Sequence, residues 1–370
     1  MRIALKEARK GLGRTTPNPC VGAVVVKNGR IIAKGYHKKA GTPHAEINAL
    51  GMAGKDAVGA TLYVTLEPCN HTGRTPPCSQ AVVAAGIIRV VVGMEDPNPL
   101  VCGSGLAFLT DCKIEVLSGV LADECREINR PFLKYITTSL PWVVMKAGIT
   151  LDGRITYKKG VRGWITGPQS LRKVHKLRNI SDAIMVGVGT IRIDDPSLTT
   201  RLVHRKGKDP ARVVLDTTLR IPSSAKVLHL DSNASTWIFC GPEADKKKKD
   251  NLLAIGAVVR SVDLDDTGGV DIGQVLAVLG SEGITSVLVE GGGKVHGSML
   301  RNHLVDHANL FYGPFIAGDN GTPVVQGLCA SERRDAICLE KIRYQRFGDD
   351  LMIEGDIDYG SAEGPSLILP

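Results

Sequence analysis

Three separate segments of this chain must meet at one point if their chemistry is to make sense: His44-Ala45-Glu46, Cys69 after Pro68, and Cys78 after Pro76-Pro77. One imidazole and two thiolates form a three-ligand zinc site with an open fourth position, the mark of a catalytic rather than a structural centre. Structural zinc takes four ligands in two tight pairs, and no fourth ligand stands out here. His71 is the nearest candidate, but Gly73 and the flanking prolines read as a loop that turns its side chains outward. Zinc so held lowers the pKa of a bound water to roughly 7. Glu46 lies two residues from the histidine and outside the ligand set, where it can carry a proton between that water and a leaving group. Residues 44–50 read as a helix opening after Pro43, and residues 78–85 as a second helix after Pro77. Both would aim backbone amides and a positive dipole end at the metal, which helps keep a thiolate ionised.

A length of 370 residues suits two domains. In the first, residues 21–26 and 30–35 are β-rich runs joined through Asn28-Gly29, a hairpin signal. A strand at 61–66 delivers Glu67-Pro68-Cys69, and a buried strand at 89–93 runs into Asp96-Pro97-Asn98-Pro99. Residues 113–117 form a short last strand, and 121–138 read as one bridging helix. Ser139-Leu140-Pro141 marks the boundary, so the expected domains are 1–140 and 141–370. In the second, strands are expected at 142–146, 183–186, 211–215, 235–239, 257–262, 286–289 and 309–312, with helices at 168–178, 271–281 and 293–301. Such alternation predicts layered α/β domains. The tail from Tyr359 carries few packing signals.

Composition narrows the class. No apolar run reaches the roughly 18–20 residues of a membrane span, and the basic amphipathic N-terminus lacks the apolar core of a signal peptide. Nine cysteines, an odd number without regular spacing, fit a reducing cytoplasm. A net charge of +8 suits nucleic acid or phosphorylated small molecules. Aromatic residues make up only 4%, too sparse for stacking single-stranded bases, which favours small phosphorylated ligands. The lysine run 246–249, flanked by Asp245 and Asp250, reads as a solvated turn or helix start.

Two strand exits in the second domain are glycine-rich. Val289-Glu290-Gly291-Gly292-Gly293-Lys294 is a strand, a turn and a helix start, where glycines would let the backbone approach a phosphate. Val186-Gly187-Val188-Gly189-Thr190 is the other, leading to Asp194-Asp195-Pro196 and Arg201. Neither is the G-x-G-x-x-G of a dinucleotide-binding domain. With Arg162, Arg178 and Arg201 they suggest one anionic substrate and one phosphorylated cofactor, although each arginine alone reads equally well as a surface ion-pair residue.

The H-x-E…P-C…C order is that of zinc nucleobase deaminases, with eight residues between the cysteines in place of the usual two. The stretch from Asn70 to Cys78, with Thr16-Pro17-Asn18-Pro19 upstream and Asp96-Pro97-Asn98-Pro99 downstream, closely resembles the bifunctional riboflavin-biosynthesis deaminase–reductase family. Ala147-Gly148, Leu151-Asp152-Gly153-Arg154, Gly163-Trp164-Ile165-Thr166, Asp194-Asp195-Pro196 and Val289-Glu290-Gly291-Gly292 follow the order of that family's reductase half. The resemblance implies two three-layer α/β domains, the first cytidine-deaminase-like and the second dihydrofolate-reductase-like. It implies hydrolysis of the 2-amino group of a diamino-ribosylamino-pyrimidinone phosphate, followed by NADPH-dependent reduction of the ribosyl chain to ribityl. One zinc per deaminase domain would be held by His44, Cys69 and Cys78, with Glu46 as proton carrier.

The same resemblance assigns Asn18 and Asp96 to the pyrimidine edge, and His37, His71, Arg74 and Asn98 to the remaining deaminase substrate contacts. It places NADPH near Gly148, Trp164, Thr190, Asp194 and the run Gly291, Gly292, Gly293, Lys294, Val295, His296, Gly297 and Ser298. The second substrate would meet Lys146, Arg162, Arg178, Leu198, Arg201 and Glu290. The general acid of the reduction stays open between Asp194 and Glu290. The implied enzyme is a cytoplasmic homo-oligomer acting on phosphorylated pyrimidines, without nucleic acid or membrane partners. Two competing readings are a nucleic-acid base deaminase with a nucleotide-binding second domain, and a zinc-stabilised binding module in which Glu46 would be dispensable.

Overall fold

The computed structural model describes residues 1–70, 77–98, 103–161, 163–203 and 207–360. The chain divides into two compact units, Met1–Leu140 and Pro141–Pro370.

The first unit opens with α1 (Arg2–Ala8), followed by the hairpin β1 (Gly22–Lys27) and β2 (Arg30–Tyr36). Then come α2 (Ala45–Ala53), β3 (Thr61–Leu66), α3 (Cys78–Ala84), β4 (Arg89–Met94), α4 (Ser104–Asp111), β5 (Glu115–Leu117), α5 (Ala122–Ile128) and α6 (Arg130–Thr138). The sheet order is β2-β1-β3-β4-β5, with β1 antiparallel to both neighbours and β3, β4 and β5 parallel. Its core is built of small aliphatics, among them Ala23, Val25, Leu62, Val64, Val90 and Val92. Small side chains let the helices lie close on the sheet. Gly35 is the tightest case on the α2 side: a Cβ there would stand 2.4 Å from the Ala45 carbonyl oxygen and 2.5 Å from the Ala49 nitrogen. That contact sets the height of the first turn of α2 above β2.

Residues 121–138 are two helices rather than the expected one. Asn129, between them, exchanges hydrogen bonds with the Cys20 backbone, accepting from its N–H at 2.8 Å and donating to its carbonyl at 3.2 Å. Pro131 then sits at the start of α6. A buried side chain committed to another segment outweighs helix continuity here.

The second unit begins with β6 (Trp142–Ile149), α7 (Pro168–Ile180), β7 (Ala183–Gly187), α8 (Val188–Asp194), β8 (Ala211–Leu215), β9 (Thr236–Cys240), α9 (Lys246–Ala254) and β10 (Val258–Ser261). It continues through α10 (Ile272–Ser281), β11 (Ser286–Val289), α11 (Gly293–Arg301), β12 (His307–Tyr312), β13 (Cys338–Phe347) and β14 (Asp350–Asp358). Nine strands run in the order β10-β9-β8-β7-β11-β6-β12-β14-β13, parallel from β10 to β12, with β14 antiparallel to β12 and β13 antiparallel to β14. β11 is inserted between β7 and β6, so three strand exits of distant sequence lie side by side. Ligands of open α/β sheets bind at such carboxyl ends.

The hairpin β13–β14 is an element the sequence pattern did not announce. β13 is exposed along nearly its whole length and so shows no apolar alternation. The lysine run opens α9, with the Asp245 side chain accepting from the Lys248 N–H at 2.8 Å. Tyr359 is better anchored than its sequence suggests: its hydroxyl bonds both the N–H and the carbonyl of Val305 at 2.9 Å, and its ring stacks on His303. Among the described residues no helix is long and apolar enough to cross a membrane.

Substituting Gly35→Ala is expected to destabilise the first unit by about 1–3 kcal/mol, the usual overpacking cost, and to weaken metal retention because α2 carries His44. Urea unfolding and metal titration of the variant measure both; unchanged values would show that α2 can lift off β2 freely.

Candidate active sites

Three elements deliver the metal donors of the first unit. His44 is the N-cap of α2 in an extended conformation, and Cys78 is the first residue of α3 after Pro77. Cys69 follows β3 by three residues. His44 Nδ1 lies 3.2 Å from Cys78 Sγ and 3.6 Å from Cys69 Sγ, and all three donor atoms fall within 4.8 Å of one another. Tetrahedral zinc with bonds of about 2.0–2.3 Å needs its donors roughly 3.4–3.8 Å apart, so this set fits zinc closely. Cys69 also receives the Cys78 N–H at 3.5 Å, an amide of the α3 first turn. Hydrogen bonds from Cys78 and His44 lower the Cys69 thiol, and bonding to Cys69 together with burial raises Cys78.

Glu46 sits in the first turn of α2, only 3% exposed. Burial pushes its carboxyl up to about 7. His37 packs edge-to-face on His44 with ring centroids 5.4 Å apart. The His37 ring bonds the Pro43 carbonyl through Nδ1 and the Asn18 amide through Nε2, at 3.3 and 3.1 Å. Burial lowers its pKa and favours the neutral ring. Asp96 and Asn98 follow β4, and Asp96 Oδ1 accepts the Asn98 N–H at 3.0 Å. His71 and Arg74 lie outside the described residues. Sequence reasoning missed Glu67 and Asn70. Asn70 accepts from Ser79 Oγ at 2.6 Å and donates to the Ser104 carbonyl at 3.3 Å, tying the Cys69 segment to α3 and α4. Their position on either side of Pro68-Cys69 was the available signal.

In the second unit the structure gathers Lys146, Arg178 and Glu290. Arg178 forks onto Glu290 at 2.7 and 2.9 Å, donates to the Thr199 carbonyl at 3.1 Å, and Lys146 Nζ stands 3.9 Å from Glu290. Burial alone would raise the Glu290 carboxyl, but Arg178 and Lys146 outweigh it and hold the group at about 2. Burial lowers the Lys146 ammonium despite Glu290. His175, one turn before Arg178, accepts the Arg201 N–H at 3.2 Å. Burial and the neighbouring arginines keep it neutral, at about 4. His175 was not foreseen; its i, i+3 spacing from Arg178 was the clue. Leu198 is buried with φ +52°, whereas Trp164 is 60% exposed. Arg162 lies outside the described residues.

The glycines divide into two kinds. A Cβ at Gly293 or Gly297 would stand 2.2 Å from the Pro323 or 1.7 Å from the Gln326 carbonyl oxygen, and at Gly291 2.8 Å from Val295. These three serve internal packing. His296 is buried and bonds the Val324 carbonyl at 3.0 Å, held neutral at about 4 chiefly by burial. Among the described residues a Cβ at Gly189 or Gly292 would meet nothing within 4 Å, and Gly292 is the N-cap of α11, with no side-chain cap bond. Lys294 is exposed, and Ser298 Oγ reaches Asp265 at 3.4 Å. Gly148 is the penultimate residue of β6, beside Thr166, Thr190 lies in the α8 first turn and Asp194 is the last residue of α8. Open amides at a strand exit suit a nucleotide phosphate.

Fold and sites together define a zinc-dependent deaminase unit joined to a nucleotide-dependent reductase unit. Residues 1–94 match the model of the cytidine and deoxycytidylate deaminase zinc-binding region, and residues 141–353 that of the RibD C-terminal domain. The chain is 41% identical to the riboflavin biosynthesis protein RibD of Bacillus amyloliquefaciens, covering 95% of this chain and 94% of that one. With RibD of Escherichia coli it shares 39% over 89% of each. Among solved structures, RibD of Acinetobacter baumannii superimposes with a TM-score of 0.86 at 33% identity, covering 96% and 97% of the two chains. The Thermotoga maritima diaminohydroxyphosphoribosylaminopyrimidine deaminase/5-amino-6-(5-phosphoribosylamino)uracil reductase gives 0.83 at 38%, with the same coverage. The chain belongs to the RibD family and is a bifunctional deaminase and reductase of riboflavin biosynthesis, with zinc and NADPH as its cofactors.

Glu290→Gln leaves the half-buried Arg178 and Lys146 without their counter-charge, and a stability loss of about 1–3 kcal/mol is expected. A carboxyl held at about 2 against an ordinary 4.5 stabilises fully above 4.5, and that contribution is lost as pH falls toward 2. Denaturant unfolding at pH 6 and pH 3 should therefore show a smaller acid loss in the variant than in the wild-type protein.

Proposed function

We propose that the unit Met1–Leu140 deaminates a phosphorylated diaminopyrimidine, the substrate named for the Thermotoga relative, and that Pro141–Pro370 reduces its ribosyl chain. The observation that carries this is the convergence of His44, Cys69 and Cys78 beside a buried Glu46. His44, Cys69 and Cys78 would hold the zinc, which would supply a water made nucleophilic near neutral pH. Glu46 then accepts the water proton, passes one to a ring nitrogen, and protonates the departing ammonia. The balance is one water in and one ammonia out, with the amino carbon becoming a carbonyl. Asn18 and Asp96 hold the ring by its edge, while His37, His71, Arg74 and Asn98 take up the ribose and phosphate. Neutral His37 presents Asn18 in a fixed orientation through their hydrogen bond.

NADPH supplies hydride to the second unit. Gly148, Trp164, Thr190, Asp194 and residues 291–298 line its place, with Gly189 and Gly292 leaving room for close approach. Lys146, Arg162, Arg178, Leu198, Arg201 and Glu290 hold the deaminated substrate. Glu290, fully ionised at neutral pH, anchors cations and sugar hydroxyls and does not donate a proton. Proximity of the reacting carbons in a dry pocket supplies most of the rate. On this reading the enzyme is a cytoplasmic homo-oligomer that handles small pyrimidines and no nucleic acid.

Glu46→Gln is expected to keep its zinc and lose ammonia release by at least 10²-fold, while still oxidising NADPH when given the deaminated substrate. Metal analysis, ammonia assay and the NADPH absorbance in one series decide it. Deamination at the wild-type rate would remove Glu46 as proton carrier.

A further inference from the structure

The tetrapeptide Glu67-Pro68-Cys69-Asn70 leaves β3 carrying one metal donor and a buried carboxylate that zinc chemistry does not use. Glu67 is 3% exposed. Its Oε2 accepts the N–H groups of Asp96 at 3.2 Å and Gly103 at 3.1 Å. Its Oε1 accepts those of Gly105 at 2.9 Å and Leu106 at 3.4 Å. One oxygen thus takes the orphan amides of the α4 first turn, where a negative charge is favoured. The other reaches across to the backbone of Asp96, which in turn fixes Asn98. The approach is close enough to demand glycine: a Cβ on Gly105 would stand 2.0 Å from the Pro68 carbonyl oxygen and 3.1 Å from Glu67 Oε1.

We infer that Glu67 is a positioning residue of the deamination site, whose carboxylate sets the distance between the Cys69 metal position and the ring contacts Asp96 and Asn98. The inference rests on Asp96 and Asn98 touching substrate, as proposed above. Four N–H donors need an acceptor on both oxygens. An amide of the same size offers one oxygen and one NH₂, so either the α4 side or the Asp96 side of the clamp meets donor against donor. Glu67 sits two residues from Cys69 along an extended exit. A shift of its partner loop therefore changes where the ring sits relative to the metal while leaving the donors in place.

The test is a double-mutant cycle on the zinc-loaded full-length enzyme, using Glu67→Gln, Asp96→Asn and the pair, with ammonia release from the diaminopyrimidine phosphate as the assay. Glu67→Gln alone should lower kcat/KM at least 10-fold with full zinc and unchanged NADPH oxidation on deaminated substrate. In the Asp96→Asn background it should cost less than 2-fold. Equal costs in both backgrounds, or no cost in either, overturn the inference. So does loss of zinc, which would make Glu67 a support of the donor strand. If Glu67→Gln fails to fold, Glu67→Asp, which keeps the charge but shortens its reach, takes its place in the cycle with the same outcomes. Failure of the underlying reading is separate: Asp96→Asn alone would then deaminate normally.

Discussion

Both units rest on one constraint: polar chemistry must be delivered at the carboxyl end of a buried parallel strand, where the next helix begins. The strand ends there, its neighbours continue the sheet, and the following helix turns unpaired amides toward the gap. β3 ends in the segment holding Glu67 and Cys69, β7 in Gly187, and β11 in Glu290. Each unit has a glycine near such an exit that lets two backbones approach, Gly105 in the first unit and Gly293 in the second. Loss of that closeness would separate the elements that share a site even if every site residue were kept.

Charges buried at these exits are satisfied in two ways. Glu67 is met by four backbone N–H groups, two from the first turn of α4. Glu290 is met by a forked guanidinium and a nearby ammonium. Backbone donors fix geometry and carry no net charge away when ligand arrives. Side-chain cations can be shared, because Arg178 also reaches Thr199 and Lys146 has donors to spare. The first arrangement suits a site that holds a flat ring in one orientation. The second suits one that must accept an anionic sugar phosphate.

The legible parts of the sequence were those with local chemistry. The metal quartet, the Asn28-Gly29 hairpin and the strand–turn–helix at Glu290 follow from residue type and spacing within a few positions. The features missed depend on distant partners. Asn129 breaks a helix because its side chain is committed to Cys20, more than a hundred positions away. β13 is a strand because β14 pairs with it, although its own pattern is exposed and charged. Gly293 and Gly297 also pack against the segment holding Pro323 and Gln326, a need that their own stretch of sequence does not show. Glycine in a turn reports close approach; only the fold tells whether a ligand or the chain itself makes it.

Glu46 and Glu290 show how far environment decides role. Both glutamates stand at the opening of a site, Glu46 buried and Glu290 half-buried. Glu46 has burial as its dominant influence, which pushes its carboxyl up. Glu290 also loses most of its water, but two cations outweigh that cost and hold it at about 2. A proton carrier must be able to change state, which an upward push favours and a strong downward one opposes. An anchor must stay charged whatever the substrate does, so only the second can serve as that. Exchanging their surroundings, not their side chains, would exchange their functions, and the surroundings are what the two strand exits provide.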